Sequence, residues 1–197
     1  DGDCDDSNPD AGTATTTHEG NVHWGVDEVV LCPDDTTVAL RGDLTVGALV
    51  DSAAGLECVC VIDGDLQING TGLSALTGFD RLGLVTGSVH VEGNVALESL
   101  SGFDALTEVG GNVSFFSNAL LTDMAGLERL HAIGTNLEVG GNASLVNLSG
   151  LENLQSLGDG LFLWQNPSLQ SLTGLTGLSE IVGYVFLQRN NALTSLT

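Results

Sequence analysis

Gly111-Asn-Val-Ser-Phe-Phe-Ser-Asn118 is the stretch that decides the fold of this chain, because variants of it recur at a fixed interval. The apolar residue at its centre has counterparts 24 residues apart. These centres are Val89, Val113, Leu137, Leu161 and Val185. Such a period is typical of a solenoid, in which each repeat buries its apolar face only against its neighbours.

The pattern extends towards the N-terminus with a shorter period. Three further centres, Val22, Leu44 and Leu66, are 22 residues apart, and the next step is 23. Segments such as Val89-His-Val91 alternate apolar and polar residues, as a β strand with one buried face does. No segment holds a long pattern of period 3.6. The sequence therefore predicts an all-β, parallel β-solenoid, similar to leucine-rich repeats, with about eight repeats, or rungs, of 22–24 residues.

An asparagine follows each of the last five centres by five residues. The set is Asn94, Asn118, Asn142, Asn166 and Asn190. Asparagine tolerates the left-handed backbone conformation of a corner, and its amide can bond backbone groups that the corner leaves open. We expect these side chains to stack as a ladder along the solenoid.

Charge limits the classes of partner. The 197 residues contain 26 acidic and four basic residues, for a formal net charge of −22, and 14 of the acids lie in residues 1–63. Such a balance repels nucleic acid and anionic membrane surfaces. No apolar run approaches the roughly 18 residues that a membrane-spanning helix needs.

Residues 1–17 are predicted to be an acidic segment and linker, separate from a solenoid over 18–197. Its carboxylates are Asp1, Asp3, Asp5, Asp6 and Asp10. The first three alternate as in the opening of an EF-hand-type calcium loop, although Gly12 stands where that loop has a bidentate Glu. The segment resembles Asp-rich calcium-type repeats of bacterial secreted proteins. Five carboxylates so close together repel one another unless a cation neutralises them, which favours Ca²⁺ over a solvated linker.

Two segments resemble the receptor L domain, the right-handed β-helical module of the insulin and epidermal growth factor receptor ectodomains that also occurs in bacterial surface proteins. They are Cys58-Val-Cys-Val-Ile-Asp-Gly-Asp-Leu-Gln-Ile68 and Leu169-Gln-Ser-Leu-Thr-Gly-Leu-Thr-Gly-Leu178. The resemblance covers about residues 20–197. It implies a right-handed solenoid whose principal sheet takes part in binding a partner.

The four cysteines lie in the first third of the chain. Cys58 and Cys60 are one residue too close for a CxxC zinc pattern, and at i and i+2 they cannot easily bridge each other. An even number of cysteines in this chain indicates two disulfides that form in an oxidising compartment. The resemblance implies that Cys32 pairs with Cys58 or Cys60, and that Cys4 takes the other.

If the rung centres point inward, the residues one before, one after and three after each centre point outward from the sheet that the centres form. Most are polar, but five of the nine aromatic residues fall on this face towards its C-terminal end. The candidate binding residues are these aromatics and a neighbouring glutamine: Phe116, Phe162, Trp164, Tyr184, Phe186 and Gln188. An exposed apolar patch usually marks an interaction surface. The alternatives are cover by further chain or by a neighbouring subunit, and a carbohydrate-stacking surface.

No catalytic set stands out in the sequence, and glycine pairs that recur in every rung indicate corners instead of phosphate-binding loops. We therefore expect a non-enzymatic, secreted or cell-surface binding or adhesion module that presents a flat sheet face to a protein or glycan. The alternative is a structural subunit of an extracellular filament or surface array, built from copies of the chain.

Calcium should raise the midpoint of thermal unfolding, because it would neutralise the carboxylates of residues 1–10. Calorimetry with added calcium and with a chelator measures this. An unchanged midpoint after calcium is removed would contradict the metal site.

Overall fold

The computed structural model describes residues 16–25, 31–32, 37–48 and 50–196, and within these ranges every regular element is a β strand. Sixteen short strands alternate between two sheets, so that each rung contributes one strand to each sheet. The first sheet contains β1 (Thr16–Glu19), β3 (Val38–Arg41), β5 (Val59–Asp63), β7 (Leu84–Val85), β9 (Glu108–Val109), β11 (Ala132–Ile133), β13 (Ser156–Leu157) and β15 (Glu180–Ile181). The second contains β2 (Val22–Trp24), β4 (Leu44–Val46), β6 (Leu66–Asn69), β8 (Val89–Glu92), β10 (Val113–Phe116), β12 (Leu137–Gly140), β14 (Leu161–Trp164) and β16 (Val185–Gln188).

All described strand pairs are parallel, and each strand except those at the ends of the sheets pairs with the equivalent strand of the rung before and the rung after. Val113, for example, lies in register with Val89 on one side and Leu137 on the other. The predicted all-β parallel solenoid is confirmed, with eight strands in each sheet spanning about seven turns.

The apolar core is one column along the solenoid, and strand alternation explains why. In β8, Val89 and Val91 are buried, whereas His90 is half-buried and Glu92 is exposed. A strand must send successive side chains to opposite faces, so the centre of each rung and the residue two positions later fill the interior. The first sheet adds residues such as Val109 and Ile133 to the same column. A single cluster of buried residues extends from Val22 to Leu169.

The five asparagines form a ladder that joins successive rungs. The backbone N–H of Asn118 donates to Oδ1 of Asn142 at 2.9 Å, and Nδ2 of Asn142 donates to the carbonyl of Phe115 at 2.9 Å. The four inner asparagines are fully buried, whereas Asn190 in the last rung is partly exposed. Each inner side chain therefore satisfies one backbone donor and one backbone acceptor that water cannot reach.

The residue before each asparagine, and not the asparagine, adopts the left-handed conformation. These residues are Gly93, Ser117, Gly141, Gln165 and Arg189, with φ of 66°, 56°, 69°, 55° and 58°. None of the five asparagines has a positive φ, so the left-handed role predicted for them is wrong. The physical reason is that a ladder asparagine must aim its amide into the core, so the reversal of chain direction occurs one residue earlier.

A second ladder, of mixed composition, lies at the opposite end of the same strands. The side-chain oxygen of each residue accepts the backbone N–H of its equivalent in the next rung. Its accepting residues, with donor–acceptor distances of 2.7–3.2 Å, are Asn21, Asp43, Asp65, Ser88, Asn112 and Asn136. The ladder ends at Gly160, which accepts nothing because it has no side chain. Sequence reasoning assigned Asp65, Ser88, Asn112 and Asn136 to the solvated face and missed this role.

Of the two partners expected for Cys32, which are Cys58 and Cys60, the structure shows Cys58. Cys60 is disulfide-bonded as well, whereas Cys4 lies outside the described residues. The Cys32–Cys58 link joins the segment before the third strand to the start of β5, and both residues pack against the core.

The solenoid begins slightly earlier than predicted. Strand β1 includes Thr16 and Thr17, which the sequence assigns to the linker, and they pair with Val38 and Ala39. Threonine is β-branched and fits a paired strand, which explains the difference. The candidate calcium ligands Asp1, Asp3, Asp5, Asp6 and Asp10 lie outside the described residues.

Asn142→Ala should reduce the free energy of unfolding by about 2–5 kcal/mol, because it leaves a buried N–H and a buried carbonyl without partners. Asn190→Ala is the matched control. Asn190 makes the same two kinds of bond, but it lies in the last rung and is partly exposed. Water can therefore replace its hydrogen bonds. Urea unfolding measures both changes, and an equal loss in the two variants would contradict the role given to burial.

Candidate functional site: an aromatic surface on the second sheet

The predicted binding residues lie on or beside three strands of the second sheet, of which β14 and β16 are adjacent and β10 is separated from β14 by β12. Phe116 ends β10, Phe162 and Trp164 lie on β14, and Phe186 and Gln188 lie on β16, which Tyr184 directly precedes. All six occupy positions that alternate with the buried centres. We call the five aromatic members, Phe116, Phe162, Trp164, Tyr184 and Phe186, the aromatic surface.

Phe116 and Trp164 contact each other across an intervening glycine. Their strands are separated by β12, so their backbones are roughly 9.5 Å apart. Their ring centroids are nonetheless 4.8 Å apart, at an interplanar angle of 43°. Gly140 lies in register between them, and a Cβ built there would be 2.6 Å from the indole atom Cε2. The indole ring therefore occupies the space that a side chain at Gly140 would need.

Phe162 and Phe186 form the second ring pair, on adjacent strands. They are in register, with ring centroids 6.3 Å apart and an interplanar angle of 40°. Phe162 also leans over Gly160, which directly precedes β14 and where a Cβ would be 2.5 Å from the phenyl atom Cε2. Glycines beneath Trp164 and Phe162 thus let both rings lie close to the sheet.

Exposure increases across the aromatic surface towards the last rung. Phe116, Phe162 and Trp164 are half-buried, whereas Phe186 is 42% exposed and Tyr184 is 77% exposed. Gln188 is exposed beside them. The inner rings are held by their neighbours, and the outer rings remain available to another molecule.

Two carboxylates adjoin the aromatic surface, each one strand towards the N-terminus from a ring. Glu92 lies in register with Phe116, and Glu138 lies in register with Phe162. Ser114 donates a hydrogen bond to Oε2 of Glu138 at 3.1 Å, which holds that carboxylate on the sheet face. Each ring pair therefore has one acidic neighbour.

The last rung differs from the inner rungs in a way that the sequence pattern did not show. Val185 and Leu187 occupy positions that are buried in every inner rung, yet they are 56% and 36% exposed. Val185 nevertheless lies in register with the buried centre Leu161, as the period predicts. Burial in a solenoid requires a rung on both sides, and β16 pairs only with β14.

The described part of the chain shows no group of three or more His, Cys, Asp or Glu side chains arranged to hold a metal ion. Within the same ranges, no helix is long and apolar enough to cross a membrane.

Fold and site define this chain as a parallel β-solenoid with an aromatic surface on one sheet. Comparisons with protein-family models, with curated proteins and with solved structures each found no match. The resemblance to the receptor L domain stays a prediction from the sequence.

Gly140→Ala should displace the indole of Trp164, separate it from Phe116 and shift its fluorescence to longer wavelength. We expect the loss of the ring pair to cost about 0.5–1.5 kcal/mol. Gly47→Ala is the matched control, because Gly47 occupies the same position of its rung and a Cβ there has no atom within 4 Å. Emission spectra measure the change, and identical spectra for the two variants would contradict the packing described.

Proposed function

We propose that this chain is a non-enzymatic, extracellular binding module, and that it presents the outer face of the second sheet to a protein or glycan partner. The observation that carries the proposal is the aromatic surface itself. Five rings gather within four consecutive rungs on a face that is otherwise polar, although nothing in the repeat requires them there.

The packing of these rings supports a binding role. Partners gain affinity from aromatic side chains that are already ordered, because little conformational entropy is lost on association. Trp164 is held between Phe116 and the backbone of Gly140, and Phe162 is held between Phe186 and Gly160. A partner would therefore meet ordered rings.

The neighbouring charges favour a protein partner over a glycan. Glu92 and Glu138 adjoin the rings, and the whole chain carries a formal charge of −22. Lys and Arg side chains are attracted both to carboxylates and to the faces of aromatic rings. The best fit is a segment that combines apolar with basic side chains, and a glycan would use the ring faces alone.

An extracellular location is supported by the cysteines. Cys32 and Cys58 are joined, and Cys60 is also oxidised. Such bonds persist mainly in oxidising compartments. Calcium binding by the acidic N-terminal segment belongs to the same proposal, because calcium-stabilised segments suit the extracellular medium, where calcium is abundant.

The second candidate is a structural subunit that associates with its own copies. The aromatic surface favours it as well, because Tyr184 and Phe186 are exposed and a neighbouring copy would cover them.

The binding proposal can be tested with a displayed peptide library and a glycan array, both probed with the intact protein. We expect ligands selected on the wild type to lose at least tenfold in affinity for Trp164→Ser or Phe186→Ser. Leu120→Ser, which removes a side chain of similar exposure elsewhere on the surface, should keep full affinity.

Circular dichroism should show all three variants folded. Selected ligands that bind Trp164→Ser and Phe186→Ser as tightly as the wild type would overturn the proposal. Basic peptides whose affinity falls as salt is added would identify the partner class as protein, whereas salt-independent glycan binding would identify it as carbohydrate.

A further inference from the structure

The indole of Trp164 lies flat on the second sheet. A Cβ built at Gly140 would be 2.6 Å from Cε2 of this indole, 2.8 Å from Nε1 and 3.0 Å from Cζ2. Cε2 is bonded to the other two atoms, so a point that is nearest to Cε2 lies above the ring plane, whereas a point beyond the ring edge would be nearer to Nε1 or Cζ2. One face of the indole therefore covers Gly140, and the opposite face is directed away from the sheet.

Phe116 holds the indole in this position. The two ring centroids are 4.8 Å apart, and Trp164 is half-buried. The glycine below and the phenyl ring beside it restrict the indole, although neither covers its outward face. A flat group from another molecule could therefore stack on a ring that is already ordered.

A carboxylate is fixed beside this indole by a buried hydroxyl. Glu138 precedes Gly140 by two residues on β12, so the two positions share the outer face and lie about 6.6 Å apart. Ser114 is 1% exposed and donates to Oε2 of Glu138 at 3.1 Å. Within the described residues, Oε1 of Glu138 takes part in no hydrogen bond. One oriented carboxylate oxygen is thus free beside the ring.

No basic side chain of these strands neutralises the carboxylates. Strands β8, β10, β12 and β14 contain neither Lys nor Arg, and Glu92 lies in register with Phe116 on the adjacent strand. In the described part of the chain, neither Glu92 nor Glu138 forms an ion pair. Two uncompensated carboxylates beside aromatic rings attract a cation that can also stack.

We propose that this site binds the guanidinium group of an arginine side chain of the partner protein. The guanidinium plane stacks on the outward face of Trp164, and its N–H groups donate to Oε1 of Glu138. Phe116 and Gly140 position the indole, and Ser114 positions the carboxylate. This assignment rests on the proposed binding function and names the side chain that the aromatic surface recognises.

The geometry favours arginine over lysine and over a sugar. A guanidinium is planar and weakly hydrated, so it can stack on a ring while it donates hydrogen bonds from its edge. An ammonium group is compact and strongly hydrated, and it has no flat face. A sugar could stack on the indole of Trp164, but it would leave Glu92 and Glu138 without a counter-charge.

An NMR titration of the intact, ¹⁵N-labelled protein tests the site, with N-acetyl-arginine amide as the probe. The chain has two tryptophans, so the indole N–H of Trp24 is an internal control. We expect a saturable shift of the Trp164 signal and none of the Trp24 signal. N-acetyl-lysine amide has the same charge, and at equal ionic strength it should bind about fivefold more weakly or less.

Glu138→Gln should weaken binding of the arginine probe about fivefold, because it removes the charge and keeps an oxygen for Ser114. Glu108→Gln is the matched control, since it makes the same change at an exposed position of the first sheet. Trp164→Leu should abolish binding. Circular dichroism checks that each variant is folded, and the exposed site of Glu138→Gln keeps the test decisive if Trp164→Leu unfolds.

Three results would each overturn the arginine site. They are the absence of a saturable Trp164 shift, equal affinity for the arginine and lysine probes, and equal affinity of wild type and Glu138→Gln for the arginine probe. A sugar that shifts the Trp164 signal when the arginine probe does not would overturn it too.

The peptide library separates this inference from the proposed function. Selected peptides that require Trp164 and contain no arginine would overturn the arginine site and leave the binding function standing. Selected ligands that bind Trp164→Ser and Phe186→Ser as tightly as the wild type would overturn the binding function. The titration would then still show whether the site takes a guanidinium group.

Discussion

The structure depends on the hydrogen bonds that asparagine side chains make between rungs. A solenoid turns its chain several times in each repeat, and every corner leaves backbone groups that cannot join the sheets. At the buried corner, Asn94, Asn118, Asn142 and Asn166 supply both an acceptor for the neighbouring rung and a donor for a carbonyl behind it. Without them each rung would bury unpaired groups at a cost of about 1–3 kcal/mol apiece. The leucines can pack only because this corner is satisfied.

When every rung makes equivalent contacts, only the positions that differ between rungs can give the surface a specific function. The inward positions are restricted to apolar residues by the rungs on either side, but the outward positions face solvent and can vary freely. The aromatic surface arises there, where Trp164 extends over Gly140 to reach Phe116. Binding is therefore proposed for a place where the outward residues depart from the repeat.

Much of the fold could be predicted because the same pattern of apolar residues and asparagines recurs along the chain. The spacing of Val89, Val113 and Leu137 predicts the register of the strands, and the structure pairs those residues as expected. The second ladder could not be predicted in this way, because Asp65, Ser88 and Asn112 differ in type. They share only a side-chain oxygen that is placed to accept the backbone N–H of the next rung. The left-handed corners were missed for a similar reason. Ser117 and Gln165 are not residues that mark such a conformation.

The sequence by itself determined the period, the inward and outward faces, the position of the buried asparagines and the collection of aromatic residues on one face. These properties follow from alternation along a strand and from repetition along the chain, which are both local. Only the tertiary structure decided which rings touch and that Gly140 makes room for Trp164. Those outcomes depend on which rung lies above and below a given residue, and a residue's own neighbours in sequence do not contain that information.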